Sequence, residues 1–242
     1  MLGWQDVKQR YKRSKVGPFW LTISMAVMIA SIGLVFGGIF SAPLADFLPF
    51  LALGLILSSF ILTSLTEGCT AFISSTAIIK QFPVPLPIHM CRVIWHNVVI
   101  LLHNLIILPL VYLAFLKPFT PEALLSLPGF ALMVLNISWM ALVFGVLSTR
   151  FRDIPQLVQS FFQVVFYLTP VIWMPHMLPE RVSTVLLDWN PIYHMVEIVR
   201  APLLGELPGS ESWIICIGMA LLGWSVSLAV YGACRTKIAY WL

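Results

Sequence analysis

The side chains most able to do chemistry in this sequence lie within long apolar runs. The pairs His96–Asn97 and His103–Asn104 are seven residues apart, so a helix would stack each residue of the first pair on its counterpart in the second. Polar side chains at membrane depth are energetically costly and normally face a bundle interior or a wet cavity. The two pairs therefore predict either hydrogen bonds that pack helices together or the lining of a pathway.

A second polar stripe begins just after Asp153 and continues to an aromatic residue. Its members recur at the spacing of one helical face and are Gln156, Gln159, Ser160, Gln163 and Tyr167. Helix packing and a pathway lining again compete as interpretations. The candidates for a pathway lining are His96, His103, Gln156, Gln159, Gln163 and Tyr167.

Motifs for catalysis, metal binding and nucleotide binding are missing from the sequence. It has no Gly-x-x-x-x-Gly-Lys-Ser/Thr phosphate loop, no His-Glu-x-x-His and no Gly-x-Ser-x-Gly. His96 and His103 would lie about 10 Å apart along a helix axis, and no acid joins them. We therefore predict no catalytic residue, no metal site and no cofactor on this chain, and we expect energy to come from another chain.

The apolar residues form blocks long enough to cross a membrane. They make up 60% of the chain against 10% charged residues, and the mean hydropathy is +0.94. A helix needs about 20 apolar residues to cross a bilayer core, and backbone in lipid must be helical or close into a barrel. We predict an all-α integral membrane protein with one domain. Its six predicted spans are residues 19–42, 47–66, 93–116, 124–147, 154–173 and 213–234.

Two local patterns within these spans make specific predictions. Gly33, Gly37 and Ser41 form a face of small residues, which is typical of close contact between membrane helices. Asp153, followed by Pro155 and then Gln156, is typical of a capped helix start.

The segment before the first span, residues 1–17, combines an apolar stripe with basic residues. Trp4, Val7 and Tyr11 recur at helical spacing, which is typical of a helix lying in the membrane interface. The segment is either a topology signal alone or also a contact for an anionic, lipid-linked substrate. The candidates for binding the substrate headgroup are Lys8, Arg10, Lys12, Arg13, Lys15 and Arg92.

The distribution of lysine and arginine predicts the orientation. With the N-terminus in the cytoplasm, eleven of the 14 lysine and arginine residues fall on the cytoplasmic side, and an even number of spans places the C-terminus there too. The long outer connection, residues 175–212, is predicted to contain two short amphipathic helices, of which the second begins at Asn190–Pro191. They form either a hairpin that re-enters the membrane or a pair lying flat on its surface.

Four motifs along the chain resemble those of a known family. They are RYKRSKVGPFW at 10–20, FRDIPQ at 151–156, PVIW at 170–173 and NPIYH at 190–194. In this order they resemble the ABC-2 type polysaccharide-export permeases, which export O-antigen, capsule and teichoic-acid chains. Among these the chain looks most similar to the O-antigen permeases.

The resemblance implies partners and roles that the residues alone do not. It implies a homodimer bound to two copies of a separate ABC nucleotide-binding subunit, which would carry ATP and Mg²⁺. It also implies a coupling helix within residues 67–81 and an outer gate within residues 175–212. The candidates for coupling to the ATPase are Glu67, Phe72, Lys80, Arg152 and Asp153.

The resemblance further implies a polysaccharide on an undecaprenyl-pyrophosphate carrier, the bacterial inner membrane, and no nucleic acid. Three aromatic residues near the outer end, Trp173, Trp189 and Tyr193, either stack on sugar faces or anchor the protein at the interface. Two alternatives stay open: an ABC-2 exporter of another lipid or drug, and a membrane enzyme acting on polyprenyl-linked glycans.

Overall fold

The computed structural model describes residues 19–40, 43–82, 84–118, 120–177, 179 and 187–242. Within these ranges all regular structure is helical, as predicted. The predicted interfacial helix 1–17 and most of the first predicted helix of the outer connection lie outside the described residues.

The helices are numbered here in chain order. They are α1 Phe19–Phe40, α2 Leu44–Ser74, α3 Thr76–Gln81, α4 Pro87–Asn104, α5 Ile107–Ala114, α6 Ser126–Arg150, α7 Ile154–Leu168, α8 Pro191–Leu203 and α9 Ser210–Trp241, with 3-10 turns at Pro121–Leu125 and Pro175–Met177.

Five stretches of the described chain are long and apolar enough to cross a membrane. They are Phe19–Ile39, Leu44–Gln81, Pro87–Ala114, Pro121–Arg150 and Ser210–Trp241. The remaining predicted span, 154–173, contains α7, which is apolar but has only 15 residues. A helix of that length reaches about 22 Å, against a bilayer core of about 30 Å. The predicted all-α membrane fold is thus confirmed. The predicted number of six spans is not.

Proline determines where α7 ends. Thr169 precedes Pro170 and adopts an extended conformation, because the proline ring excludes the helical region for the residue before it. At the other end, Asp153 is the N-cap residue, as predicted, but its side chain accepts no capping hydrogen bond. The predicted helix start is therefore confirmed in position, but the predicted side-chain capping bond is wrong.

Helix α2 extends eight residues beyond the predicted span 47–66, to Ser74. Thr63, Thr66 and Thr70 each donate a hydrogen bond to a carbonyl three or four residues earlier, so these hydroxyls are satisfied within the helix and do not require it to end. Glu67 consequently lies inside α2 and not at its end. The predicted segment 67–81 contains the last turns of α2, a break at Ser75, and α3.

Helix α4 begins at Pro87, six residues before the predicted start of its span. The helical path breaks at Leu105 and Ile106 and resumes as α5. Pro109 explains the break, because it has no N–H to donate to the Leu105 carbonyl and its ring crowds that carbonyl.

Helix α2 is the centre of the bundle and packs against α1, α4, α5, α6, α7 and α8. Its contact with α1 confirms the predicted small-residue face. A Cβ on Gly33 would lie 2.2 Å from Cδ1 of Leu48, and a Cβ on Gly37 would lie 2.6 Å from Cδ2 of Leu44. Ser41, the third predicted member, lies outside the described residues.

Helix α8 packs against α6, α9 and α2, and most of its residues are buried. Asn190 caps it as predicted, with Oδ1 accepting from the N–H groups of Ile192 at 3.0 Å and Tyr193 at 3.2 Å. The helix ends at Leu203, and Gly205 just beyond it has a φ of +84°, which suits glycine. Helix α3 follows the last turn of the central helix α2, and α8 lies at the opposite end of the bundle. We call these two ends of the bundle the α3 end and the α8 end.

Candidate functional site

Three cavities follow one another along α2. The α3-end cavity, of about 670 Å³, lies between α2, α3 and α4. The middle cavity, of about 310 Å³, lies between α1, α2 and α4. The α7 cavity, of about 390 Å³, lies between α1, α2 and α7 and reaches Thr169 and Ile192 near the α8 end. Neighbouring cavities share lining residues, so together they form one series.

One face of α2 contributes polar side chains to all three cavities. Its members, three or four residues apart, are Ser59, Thr63, Glu67, Thr70 and Ser74. Sequence reasoning missed this face because the predicted end of the span at residue 66 divided it between a span and a connection. The signal was present as a regular helical spacing of hydroxyl groups across that boundary.

The α3-end cavity is polar, and its field comes from one full charge of each sign, Arg92 and Glu67, with two histidines beside them. His89, Arg92 and His96 of α4 line it, and Glu67 of α2 contributes one carboxylate. His89 is 5% exposed, and its Nε2 has no hydrogen-bond partner among the described residues. The positive end of the α4 dipole adds to this field, because His89 lies in the first turn of that helix. Arg92 and the histidine N–H groups are donors that can bind an anionic group here.

The middle cavity combines a mainly apolar lining with a few polar side chains and has no basic residue among the described residues of that lining. Asn97 donates one hydrogen bond to Oε2 of Glu67 at 2.9 Å and another to the Val93 carbonyl at 3.0 Å. Asn97 and Asn104 both line this cavity, so the predicted stacking of the two asparagines is confirmed. Glu67 also lines the α3-end cavity, so its carboxylate lies where the two cavities meet.

The two predicted histidines are not brought together. His96 lines the α3-end cavity, whereas His103 is not among the residues lining the three cavities. The His103 ring donates from Nδ1 to the Val99 carbonyl of its own helix and meets Phe19 of α1 edge to face at 5.9 Å.

The polar stripe of α7 divides in the same way. Gln159, Gln163 and Tyr167 line the α7 cavity, while Gln156 is exposed away from it. Within the described ranges, none of the three glutamine side chains hydrogen-bonds to another helix. Their placement therefore favours a cavity lining over packing within this chain.

The predicted aromatic candidates lie in different environments. Trp173 donates from Nε1 to the Tyr167 carbonyl at 3.2 Å, and Trp189 is 86% exposed. Tyr193 is half-buried and stacks edge to face on His194 at 5.2 Å. Burial raises the pKa of Tyr193 to about 12, so its hydroxyl stays protonated at neutral pH.

The coupling candidates at the α3 end are partly exposed. Lys80, Arg152 and Asp153 are exposed, whereas Phe72 is fully buried and cannot touch a partner in this conformation. Two exposed aromatic residues that sequence reasoning missed, Phe82 (58% exposed) and Phe151 (57% exposed), lie in the connections that follow α3 and α6. We call Lys80, Phe82, Phe151, Arg152 and Asp153 the α3-end surface.

The last turn of α9 joins the elements of the α3-end surface. Helix α9 contacts α3, and Ile238 near its end is fully buried. Arg152 donates to the Trp241 carbonyl at 3.4 Å, and the Arg150 guanidinium lies 5.9 Å from the centre of the Trp241 ring. The five N-terminal basic candidates, Lys8, Arg10, Lys12, Arg13 and Lys15, lie outside the described residues.

Comparison with known proteins identifies the family. A family model described as ABC-2 type transporter matches residues 1–204, most of the chain. This chain belongs to the ABC-2 type transporter family. The family match confirms the resemblance seen in the motifs. Members of this family are multi-pass membrane proteins that act as transport subunits.

Two relatives are each described as O-antigen export system permease protein RfbA from Klebsiella pneumoniae. One is 26% identical over 197 residues, covering 79% of this chain and 74% of the relative. The other is 26% identical over 241 residues, covering 97% of this chain and 91% of the relative. The likeness to the second relative thus extends along nearly the whole permease chain.

Proposed function

We propose that this chain is the permease subunit of an ATP-driven exporter that moves a lipid-linked polysaccharide across the bacterial inner membrane. The substrate is an O-antigen-type chain on undecaprenyl pyrophosphate. The observation that carries the proposal is the series of cavities along α2, each with polar side chains in its lining, which begins at the α3 end with Arg92, His89 and His96. The family and the names of the two relatives support the same substrate class.

The carrier pyrophosphate binds in the α3-end cavity, on the cytoplasmic side. Arg92 supplies a permanent charge, and His89 and His96 supply ring N–H donors. Glu67 lines the same cavity and its carboxylate would repel an anion that moved past it into the middle cavity. The basic residues at 8–15 precede α1 in the chain and attract anionic headgroups to this side of the membrane.

Two copies of a separate ABC ATPase subunit bind the α3-end surface. Exposed aromatic and basic side chains lie together there, and such residues often dominate protein interfaces. ATP-driven closure of the ATPases pushes α3, which joins directly to α2 through Ser75. That movement separates α1 from α7 and widens the α7 cavity, while α8 gates the opposite end.

The membrane architecture follows from this assignment. Helix α7, with the residues up to Trp173, forms a sixth span, and both termini are cytoplasmic. Two copies of the chain enclose the polymer path as a homodimer, since each glutamine-lined cavity of α7 is open on its exposed side.

The proposal is tested with the permease and its ATPase in inverted membrane vesicles, whose cytoplasmic face points outward. We expect ATP, but not ADP, to drive fluorescent polymer on undecaprenyl pyrophosphate into the lumen, where an added glycosidase cannot reach it. Arg92→Ala should raise the half-saturating substrate concentration about tenfold, since a charge-assisted hydrogen bond contributes about 1.5 kcal/mol. Lys237→Ala, an exposed basic residue at the same end, is the matched control. Absence of ATP-dependent protection in an assembled complex would reject export of this substrate.

A further inference from the structure

We propose that the middle cavity binds the first sugar of the substrate, the neutral sugar ring attached directly to the carrier pyrophosphate. This inference rests on the proposed function, because it takes the α3-end cavity as the pyrophosphate site. It adds a second site to that assignment and predicts which sugars the exporter accepts.

The lining of the middle cavity matches the hydrogen-bonding character of a sugar. A sugar hydroxyl both donates and accepts, and the side-chain oxygens of Thr63 and Asn104 are acceptors for it, although the Thr63 hydroxyl itself donates to its own helix. The polar lining residues are Ser24, Ser59, Thr63, Glu67, Asn97 and Asn104. Leu21, Met25 and Ile100 supply apolar contact for the C–H groups of a ring. At about 310 Å³ the cavity is at the small end of ligand sites, which suits one ring.

Asn104 supplies an independent indication that a ligand belongs in this cavity. Its side chain lines the cavity and is 5% exposed, and among the described residues its Oδ1 accepts no hydrogen bond. A buried acceptor without a partner is costly, and most such groups in proteins are satisfied. A sugar hydroxyl placed in the cavity would satisfy it.

The position of the cavity selects the sugar nearest to the pyrophosphate. Glu67 lines both this cavity and the α3-end cavity, so a group held at Arg92 adjoins the middle cavity directly. A sugar bonded to the bound pyrophosphate reaches this cavity without a spacer, whereas later sugars of the polymer do not.

The charge of Glu67 predicts selectivity for a neutral ring. Asn97 holds the Glu67 carboxylate at 2.9 Å and so fixes its position at the wall. A second carboxylate on an acidic sugar would be repelled at short range, whereas neutral hydroxyls would be accepted. The cavity is therefore expected to discriminate against uronic acids.

The test compares three probes on the complete permease–ATPase complex in nanodiscs. They are undecaprenyl pyrophosphate, the same carrier bearing one glucose, and the same carrier bearing one glucuronic acid. We expect the glucose probe to bind about tenfold more tightly than the bare carrier, and the glucuronic acid probe to show no such gain. Asn104→Leu and Thr63→Val should each reduce the gain from glucose while leaving affinity for the bare carrier unchanged.

The controls separate this inference from the proposed function. Arg92→Ala should weaken all three probes by the same factor, and Ser225→Ala, an exposed residue of α9, should change none. Equal binding of the glucose probe and the bare carrier, or a gain that survives both Asn104→Leu and Thr63→Val, would overturn the sugar site alone. Failure of the bare carrier to bind would overturn the headgroup assignment and, with it, the sugar site. Because the readout is a ratio of affinities, a general loss of folded protein does not imitate the expected result.

Discussion

Arg200 donates a hydrogen bond from Nη1 to the Pro170 carbonyl at 2.5 Å, which ties α8 to the segment that follows α7. The same guanidinium pairs with Glu197 at 2.6 Å and lies 4.1 Å from the centre of the Phe50 ring at the start of α2. Arg200 is only 1% exposed. One buried cation therefore holds three elements of the α8 end together.

The first prediction concerns that cation. Arg200→Met leaves the Glu197 carboxylate and the Pro170 carbonyl without their donor, so we expect the free energy of unfolding in detergent to fall by about 3 kcal/mol. Lys117→Met is the control, since Lys117 pairs with Asp46 at 2.6 Å but is partly exposed and Asp46 is exposed. The control should lose less than about 1 kcal/mol. Equal losses in the two variants would contradict a structural role for the buried cation.

The second prediction concerns the contact between α6 and α8. A Cβ on Gly129 would lie 2.3 Å from the carbonyl oxygen of Ile198, which is backbone and cannot move aside as a side chain can. Gly129→Ala should therefore lower the free energy of unfolding by about 1–3 kcal/mol. Gly218→Ala and Gly232→Ala, where a Cβ meets no atom within 4 Å, should leave it unchanged or raise it. Unaltered unfolding of Gly129→Ala in a detergent titration would show that α8 is not seated this closely.

The third prediction separates docking from packing at the α3 end. Phe82→Ala should weaken binding of the ATPase subunit about tenfold, because exposed aromatic residues often carry most of an interface energy. Phe72→Leu should lower stability without that specific loss of affinity, since Phe72 is fully buried. Leu207→Ala, an exposed apolar residue beyond α8, is the control for affinity. Titration of immobilised permease with the ATPase measures all three, and an unchanged affinity of Phe82→Ala would exclude its role in docking.

The fourth prediction distinguishes the two interpretations of the α7 stripe. Gln159→Leu and Gln163→Leu make the α7 cavity apolar, so polymer transport should fall while unfolding in detergent stays unchanged. Gln156→Leu lies on the same stripe outside the cavity and should keep its transport rate. A stability loss in all three variants, with transport falling in proportion, would favour helix packing.

Local chemistry explains which predictions from the sequence succeeded. The Asn190 cap, the close approach at Gly33 and Gly37, and the helical nature of the chain all depend on residues near one another or on the lipid itself. Backbone amides in lipid must be paired within the segment, so long apolar runs specify helices wherever they occur. The family motifs are likewise short stretches of sequence.

Helix ends were predicted less well, because hydropathy does not record them. The end of α2 was placed at residue 66 by the polar run that follows, but the threonine hydroxyls there bond to their own helix, which continues to Ser74. The predicted capping bond of Asp153 was wrong, because a residue can occupy the N-cap position without its side chain bonding to the first turn.

The sequence by itself determined that the chain is a helical membrane permease of the ABC-2 type, since apolar length and short motifs are properties of local sequence. Only the tertiary structure decided that α2 is the central helix, that Glu67 faces two cavities at once, and that Phe72 and Arg200 are buried. Those facts depend on which helix faces meet across long separations in the chain. Between membrane helices that choice is made by close packing and a few hydrogen bonds, and apolar content alone does not specify it.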